Sequence, residues 1–140
     1  SYLGFDISPD ALATCRRDFA GDHTRIFRSM DAYRGETADL VLSLDVIYHL
    51  VEDEVFHEYM ERVAQAALRF VVVYSSNRDD PPGTPKSHVR HRRFTNWIDL
   101  HHPEWTLLQQ LPNEFPYAEG RDPEQFSFAD FYIFSVAPGR

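Results

Sequence analysis

Cysteine and glycine are scarce in this sequence of 140 residues, and long apolar runs are absent. The single cysteine, Cys15, permits no internal disulfide and no cysteine-based zinc site, which is typical of a protein from the reducing cytoplasm. No apolar run approaches the length of about 18 residues that a membrane-spanning helix needs, so none is predicted. Basic residues are also few: 14 against 22 acidic ones give a net charge of −8. Because such a surface repels phosphates, binding to a nucleic acid is not expected.

Hydrophobic residues, by contrast, make up 43% of the chain, and aromatic residues make up 14%. This content is sufficient for a packed interior, and it excludes a wholly disordered chain. A chain of this length forms one core, so the sequence predicts a single domain over residues 1–140.

Short apolar runs alternate with segments of helical periodicity along the chain. Ser8 and Pro9 are typical of a helix N-cap followed by a first helical residue. The run 38–44 is apolar almost throughout, which predicts a strand buried on both faces. Two further helices are predicted at 52–68 and 94–102, and further strands at 2–5, 25–27, 69–74, 105–111 and 126–136. The alternation predicts a doubly wound α/β fold with a mostly parallel sheet, in which the last two strands form an antiparallel hairpin.

Three acidic residues follow predicted strands, namely Asp6, Asp31 and Asp45. Ligands of open α/β sheets bind outside the carboxyl ends of the strands. A carboxylate at the position of Asp6 can accept hydrogen bonds from both hydroxyls of a ribose, and one at Asp31 can accept from an exocyclic amine. The two acids together predict an adenosine site, although acids at strand ends also serve as helix caps or plain loop residues.

These segments resemble class I S-adenosylmethionine-dependent methyltransferases of the small-molecule type. The segments that match are GFDIS at 4–8, Asp31 before Ala32, DLVLSLDVIYHL at 39–50, VVVYSS at 71–76 and FADFYIFSVA at 128–137. The resemblance implies a Rossmann-like fold, S-adenosylmethionine as the cofactor and a small molecule as the methyl acceptor.

The resemblance also implies roles for individual residues. Those implied to bind the cofactor are Asp6 and Ile7 at the ribose, Met30, Asp31 and Ala32 around the adenine, and Ser43 and Leu44 along the methionine portion. Tyr48 is implied to contact the acceptor, and Asp45 and His49 are the candidate catalytic residues. A histidine with a pKa near neutrality can remove a proton from a hydroxyl or amine during methyl transfer, but a capping or core role is an equal alternative for His49.

One element of the family is missing, because the sequence contains no G-x-G-x-G and its six glycines are isolated. In the family this loop follows the first strand, which lies at the centre of the sheet. The chain is therefore expected to correspond to the C-terminal two-thirds of a methyltransferase domain, to self-associate through exposed sheet edges, and to bind the cofactor weakly by itself. The alternative is a truncated or degenerate methyltransferase-like module that binds or assembles without catalysis.

A basic cluster at residues 86–93 contains Lys86, Arg90, Arg92 and Arg93 and lies in a stretch without acids. The three arginines could bind a carboxylate or phosphate of an anionic acceptor, because a guanidinium offers two parallel donors. Alternatively, they pair with the many acids of the protein itself.

Two other functions receive less support from the sequence. His88 and His91 have a spacing seen in metal sites, but no carboxylate lies within the motif, so no metal is predicted. A nicotinamide-dependent oxidoreductase would also place an acid after a strand to hold a ribose. The short-chain type of that class needs a tyrosine four residues before a lysine, and here Pro82 holds that position before the only lysine, Lys86.

Overall fold

The computed structural model describes residues 1–83, 88–116 and 127–136. The chain divides into two compact units, Ser1–Glu36 and Thr37–Arg140. None of the helices within the described ranges is long and apolar enough to cross a membrane.

The first unit is a βαβ arrangement that ends in a short helical turn. Its elements are β1 (Tyr2–Asp6), α1 (Pro9–Asp18), β2 (Arg25–Ser29) and a 3₁₀ turn (Met30–Ala32). The two strands are parallel, with Asp6 opposite Ser29 in the register. Helix α1 begins as predicted, because the Ser8 side chain accepts a hydrogen bond from the Ala11 N–H at 3.2 Å and Pro9 has no N–H that would need an acceptor.

The second unit contains a four-stranded sheet in the order β3-β4-β6-β5. Its elements are β3 (Ala38–Leu44), a 3₁₀ turn (Ile47–His49), α2 (Asp53–Ala66), β4 (Ala67–Ser75), α3 (Phe94–His101), β5 (Thr106–Leu111) and β6 (Asp130–Ser135). Strands β3 and β4 are parallel, while β6 runs antiparallel to both β4 and β5. The predicted α/β fold with an antiparallel C-terminal hairpin is therefore confirmed.

One face of this sheet, the core face, is covered by α2 and α3. The buried residues that form the core include Val71 and Val73 of β4, Phe56 and Met60 of α2, Phe94 and Trp97 of α3, and Tyr132 and Phe134 of β6. The Phe94 ring lies edge-on to the Tyr132 ring, with centroids 5.1 Å apart. The apolar spacing at three and four residues predicts the buried stripe of α2, which the structure confirms for Phe56, Met60 and Val63.

One prediction is wrong for the opposite face of the sheet, which we call the outer face. The apolar run of β3 predicts burial on both faces, but Leu40, Leu42 and Leu44 are 48%, 42% and 47% exposed. Their side chains share the outer face because alternate residues of a strand point the same way. The prediction fails because an apolar run makes burial favourable without supplying the element that would cover it.

Phe94 gives a direct test of this core. Replacing it with alanine should lower the free energy of unfolding by about 3–5 kcal/mol, because a fully buried ring is replaced by a cavity. The matched control is Leu100→Ala in the same helix, where the side chain is 76% exposed and the change should stay within about 0.5 kcal/mol. Urea denaturation of both variants measures the difference, and equal losses would contradict the packing described here.

Candidate functional site

In the first unit, the two parallel strands place Asp6 and the turn Met30–Ala32 at the same edge. Strand β1 ends at Asp6 opposite Ser29, and the turn begins at the next residue of the chain. The residues that the sequence predicts to bind adenosine therefore lie together at the carboxyl edge of this two-stranded sheet.

The side chains at this edge suit an adenosine. One oxygen of Asp6 accepts the Ser8 N–H at 2.7 Å, and no donor among the described residues binds the second oxygen. Ile7 beside it is 84% exposed and offers an apolar surface. Within the described ranges, no group donates a hydrogen bond to the exposed Asp31 carboxylate. Its backbone is held, since Arg34 donates to the Asp31 carbonyl at 2.7 Å.

In the second unit, β3 and β4 end side by side, and a turn at Asp45 follows. Leu44 is opposite Tyr74 in the register, and the Asp45 N–H continues the pairing by donating to the Tyr74 carbonyl at 3.0 Å. Asp45 has a φ of 61°, a left-handed conformation that residues other than glycine rarely adopt. Such backbone strain is concentrated at functional sites in proteins.

Tyr48 lies directly over this turn, and its hydroxyl donates a hydrogen bond to the Asp45 carboxylate. Burial raises the pKa of the Tyr48 hydroxyl, and the hydrogen bond to Asp45 raises it further. Tyr48 is therefore a neutral donor that fixes the Asp45 side chain. The sequence prediction places both residues at the acceptor, and the structure brings them into contact.

His49 follows Tyr48, and its ring is exposed. Its Nδ1 lies 3.3 Å from the His88 carbonyl oxygen. Because a carbonyl can only accept, Nδ1 is the donor in this contact. The arrangement is compatible with the general-base role expected from the sequence.

Three residues at this edge were not predicted as site residues: Ser76, His91 and Phe128. Ser76 follows β4, and its hydroxyl lies 2.7 Å from Nδ1 of His91. The His91 ring lies edge-on to the Phe128 ring at 4.6 Å, and Phe128 lies edge-on to Tyr48 at 5.0 Å. The only sequence signal for the serine is its place at the end of an apolar strand. None identifies the histidine or the phenylalanine.

The two residues predicted to follow the methionine portion of the cofactor lie on opposite faces of β3. Ser43 is buried on the core face, and its hydroxyl is 2.8 Å from that of Tyr59 in α2. Leu44 lies on the outer face. A ligand at this strand end would therefore meet the Leu44 side chain and the backbone of Ser43.

The basic cluster separates into two kinds of arginine. Arg92 donates to the carbonyl oxygens of Leu50 and Val51 and to the Asp53 carboxylate, and its side chain is 11% exposed. Arg90 also binds the Val51 carbonyl, at 2.8 Å, and pairs with Asp53 at 3.0 Å. Both guanidinium groups thus hold the segment before α2, as the alternative interpretation of the cluster expects.

Arg93 differs from these two, because its side chain is exposed. Its backbone N–H donates to Asp79 at 2.9 Å, but no carboxylate within the described ranges pairs with its guanidinium. Lys86 of the same cluster lies outside the described residues. Within those residues, histidines and acids form no group of three that could hold a metal ion.

No protein-family model matches the chain, and no curated protein matches its sequence. Solved structures do match its fold. Magnesium protoporphyrin IX methyltransferase (ChlM) from Synechocystis PCC 6803 with bound SAH has a TM-score of 0.68 at 15% identity, over 96% of this chain and 64% of that chain. The N-methyltransferase NodS from Bradyrhizobium japonicum WM9 has a TM-score of 0.66 at 13% identity, over 96% and 72%.

A putative S-adenosylmethionine-dependent methyltransferase from Listeria monocytogenes matches with a TM-score of 0.60 at 11% identity, over 96% of this chain and 79% of that chain. The Synechocystis enzyme with bound SAM matches over 59% of its length, so the chain spans less than two thirds of that relative. At these identities the similarity establishes the fold, whose cofactor in the matched structures is S-adenosylmethionine. The chain has the fold of class I S-adenosylmethionine-dependent methyltransferases.

Proposed function

We propose that this protein transfers a methyl group from S-adenosylmethionine to a small-molecule acceptor. The observation that supports the proposal most is the place of Asp6 and Asp31 at the carboxyl edge of β1 and β2, in a chain with the methyltransferase fold. The cofactor supplies a methyl group on a positively charged sulfur. The protein has to bind that cofactor, orient an acceptor and receive the acceptor's proton.

The first unit supplies the residues proposed for the adenosine. Asp6 accepts from the ribose hydroxyls through the oxygen that Ser8 leaves available, and Ile7 covers the sugar. Met30 and Ala32 contact the adenine ring, and Asp31 accepts from its exocyclic amine. For the methionine portion, Ser43 and Leu44 stay a prediction of the family resemblance. Within the second unit, Ser43 offers a ligand its backbone, because its hydroxyl lies 2.8 Å from that of Tyr59.

The second unit supplies the residues proposed for the acceptor. Asp45 and Tyr48 are hydrogen-bonded to each other, so the carboxylate is fixed in direction while its remaining lone pairs can accept from the acceptor. His49 is a candidate to receive the acceptor's proton, because its ring is exposed and lies beside the Tyr48 ring. The free thiol of Cys15 supports a cytoplasmic location.

Of the three arginines in the basic cluster, only Arg93 makes no ion pair among the described residues and is available to an anionic acceptor. Arg90 and Arg92 already donate to backbone carbonyls and to Asp53, so a ligand would have to displace those contacts. The guanidinium of Arg93 is exposed and makes no ion pair among the described residues. We therefore assign the anion contact to Arg93 and a mainly structural role to the other two.

Association with a second copy is the remaining part of the proposal. Strand β3 is an edge strand of its sheet, and its outer-face leucines are about half exposed. An exposed apolar edge pairs readily with another chain. This observation also supports the second candidate function, a methyltransferase-like domain over residues 1–140 that assembles without catalysis.

The adenosine site predicts the effect of changing Asp6. In the full-length protein, Asp6→Ala should weaken binding of S-adenosylmethionine by about 1–3 kcal/mol, because ribose hydroxyls lose their acceptor. Asp6→Asn keeps an oxygen that accepts the Ser8 N–H. It therefore shows whether a loss of affinity comes from the altered turn or from the lost carboxylate. Asp18→Ala, at the far end of α1, is the control and should leave affinity unchanged. Calorimetric titration measures all three, and unchanged affinity in Asp6→Ala would remove the adenosine site.

The division of the arginines predicts opposite results for two neighbours. Arg92→Gln should lower the free energy of unfolding by about 1–3 kcal/mol, because two carbonyl oxygens lose a charged donor. Arg93→Gln should leave stability unchanged but weaken binding of benzoate, used as a carboxylate probe. Urea denaturation and calorimetry on both variants measure these effects. If Arg93→Gln binds benzoate as tightly as the wild type does, Arg93 is not the anion contact.

The exposed β3 edge predicts concentration-dependent association. Sedimentation velocity of the 140-residue chain should show dimers or larger species, and Leu42→Lys should shift the distribution to monomer, because a lysine on the outer face opposes pairing. The control, Leu100→Lys, adds the same charge at an exposed position of α3 and should not change association. A wild-type chain that stays monomeric at all concentrations would contradict the proposal.

A further inference from the structure

The segment before α3 is fixed against the loops that follow β3 and β4. The Arg90 N–H donates to the Tyr48 carbonyl at 2.8 Å, which joins the segment to the loop after β3. The His91 N–H donates to the Asp80 carboxylate at 2.9 Å, which joins it to the loop after β4. His91 is therefore held by its backbone between the two strand ends.

Its side chain is held as well. Nδ1 of His91 lies 2.7 Å from the hydroxyl of Ser76, a residue that is 2% exposed. The Phe128 ring packs edge-on against the imidazole, and the centroid of the Tyr48 ring lies 6.3 Å from that of the imidazole. These contacts fix the direction of the imidazole and leave Nε2 without a hydrogen-bond partner among the described residues.

The charges near His91 favour its neutral form. Burial lowers the pKa of His91 first, Arg78 lowers it further, and Asp80 opposes them in part. Other titratable groups on the surrounding elements include Asp45, whose carboxylate accepts from Tyr48, and His49. Asp79 accepts from the Arg93 N–H, and Arg90 and Arg92 both pair with Asp53. A neutral imidazole is required of a group that is to accept a proton.

We propose that His91, oriented by Ser76, takes the proton of the methyl acceptor. The inference rests on the methyl-transfer function proposed above and adds a residue to it. As the acceptor oxygen or nitrogen bonds to the methyl carbon, the carbon–sulfur bond breaks and its electron pair stays on sulfur. The acceptor's proton passes to Nε2 of His91 and afterwards to water.

His91 suits this step better than His49 because it is better oriented. The arrangement of a base held by a second polar group is the one that general-base histidines use elsewhere. His49 is exposed and has one contact at 3.3 Å, whereas His91 has a buried hydroxyl at 2.7 Å and an aromatic ring against its side. For this role the imidazole proton must lie on Nδ1, donated to Ser76, so that Nε2 holds the lone pair.

Nitrogen NMR of the histidine side chains in the full-length protein tests the required state directly. His91→Gln identifies the His91 signals by their loss. The expected result is a neutral imidazole at neutral pH with the proton on Nδ1, and Ser76→Ala should abolish this preference for one tautomer. A charged ring, or a proton fixed on Nε2, would overturn the proposal.

Phenol, a planar compound with one O–H, tests whether an acceptor reaches Nε2. Phenol should shift the Nε2 signal of His91 in a saturable way, while anisole, whose oxygen already bears a methyl group, should not. Phe128→Leu should weaken phenol binding about tenfold by removing the ring that packs beside the site. The control is His23→Gln, which changes an exposed histidine of the first unit outside the proposed site and should leave the phenol effect intact.

An equal shift with anisole, or none with phenol, would overturn the role of His91. A saturable phenol shift at Nε2 of His49, with none at Nε2 of His91, would assign the proton to His49 instead. Titration of the same samples with SAH tests binding at the cofactor site separately. Failure to bind SAH would remove the proposed function, whereas a wrong tautomer with normal SAH binding would remove His91 alone.

Discussion

Parallel pairing between β3 and β4 is the constraint on which the second unit depends. The pairing places Leu44 opposite Tyr74, and the Asp45 N–H adds one more bond to the Tyr74 carbonyl. Two chain segments that are far apart in sequence therefore end at the same edge. The polar residues that follow them, Asp45 and Ser76, can then share one site because parallel strands present their carboxyl ends together.

Hydrogen bonds from arginine side chains then hold the loop that follows β3 in place. Arg92 donates to two consecutive carbonyl oxygens and to Asp53, which suits a guanidinium because it has five donors in a rigid plane. The contacts satisfy backbone groups that follow the 3₁₀ turn and have no partner in a strand or helix. Two of the three arginines that the sequence suggests as an anion site therefore hold in place the backbone segments that carry Tyr48, His49 and His91.

Much of the fold could be predicted from local patterns. The bounds of β3 match the apolar run at 38–44, and α1 begins at the predicted cap and proline. The antiparallel hairpin also follows from two strands with no helix between them. The exposure of the outer-face leucines could not be predicted, because burial depends on what packs over a strand and a strand's own residues do not encode that.

The sequence by itself determined the type and order of the helices and strands and which acids follow them, since caps, prolines and apolar periodicity act over a few residues. The bounds agree less closely, because β4 begins at Ala67, inside the helix predicted at 52–68, and β6 covers only Asp130–Ser135 of the strand predicted at 126–136. The tertiary structure alone decided the partners of the site. Ser76 and His91 are 15 positions apart, and Arg92 reaches a carbonyl 42 positions away. A contact between such residues is fixed by the register of the sheet and the path of the loops. The spacing of residues along the chain does not predict such a contact. His49 could therefore be predicted as a candidate base, because it follows β3 closely in the sequence, while His91 could not.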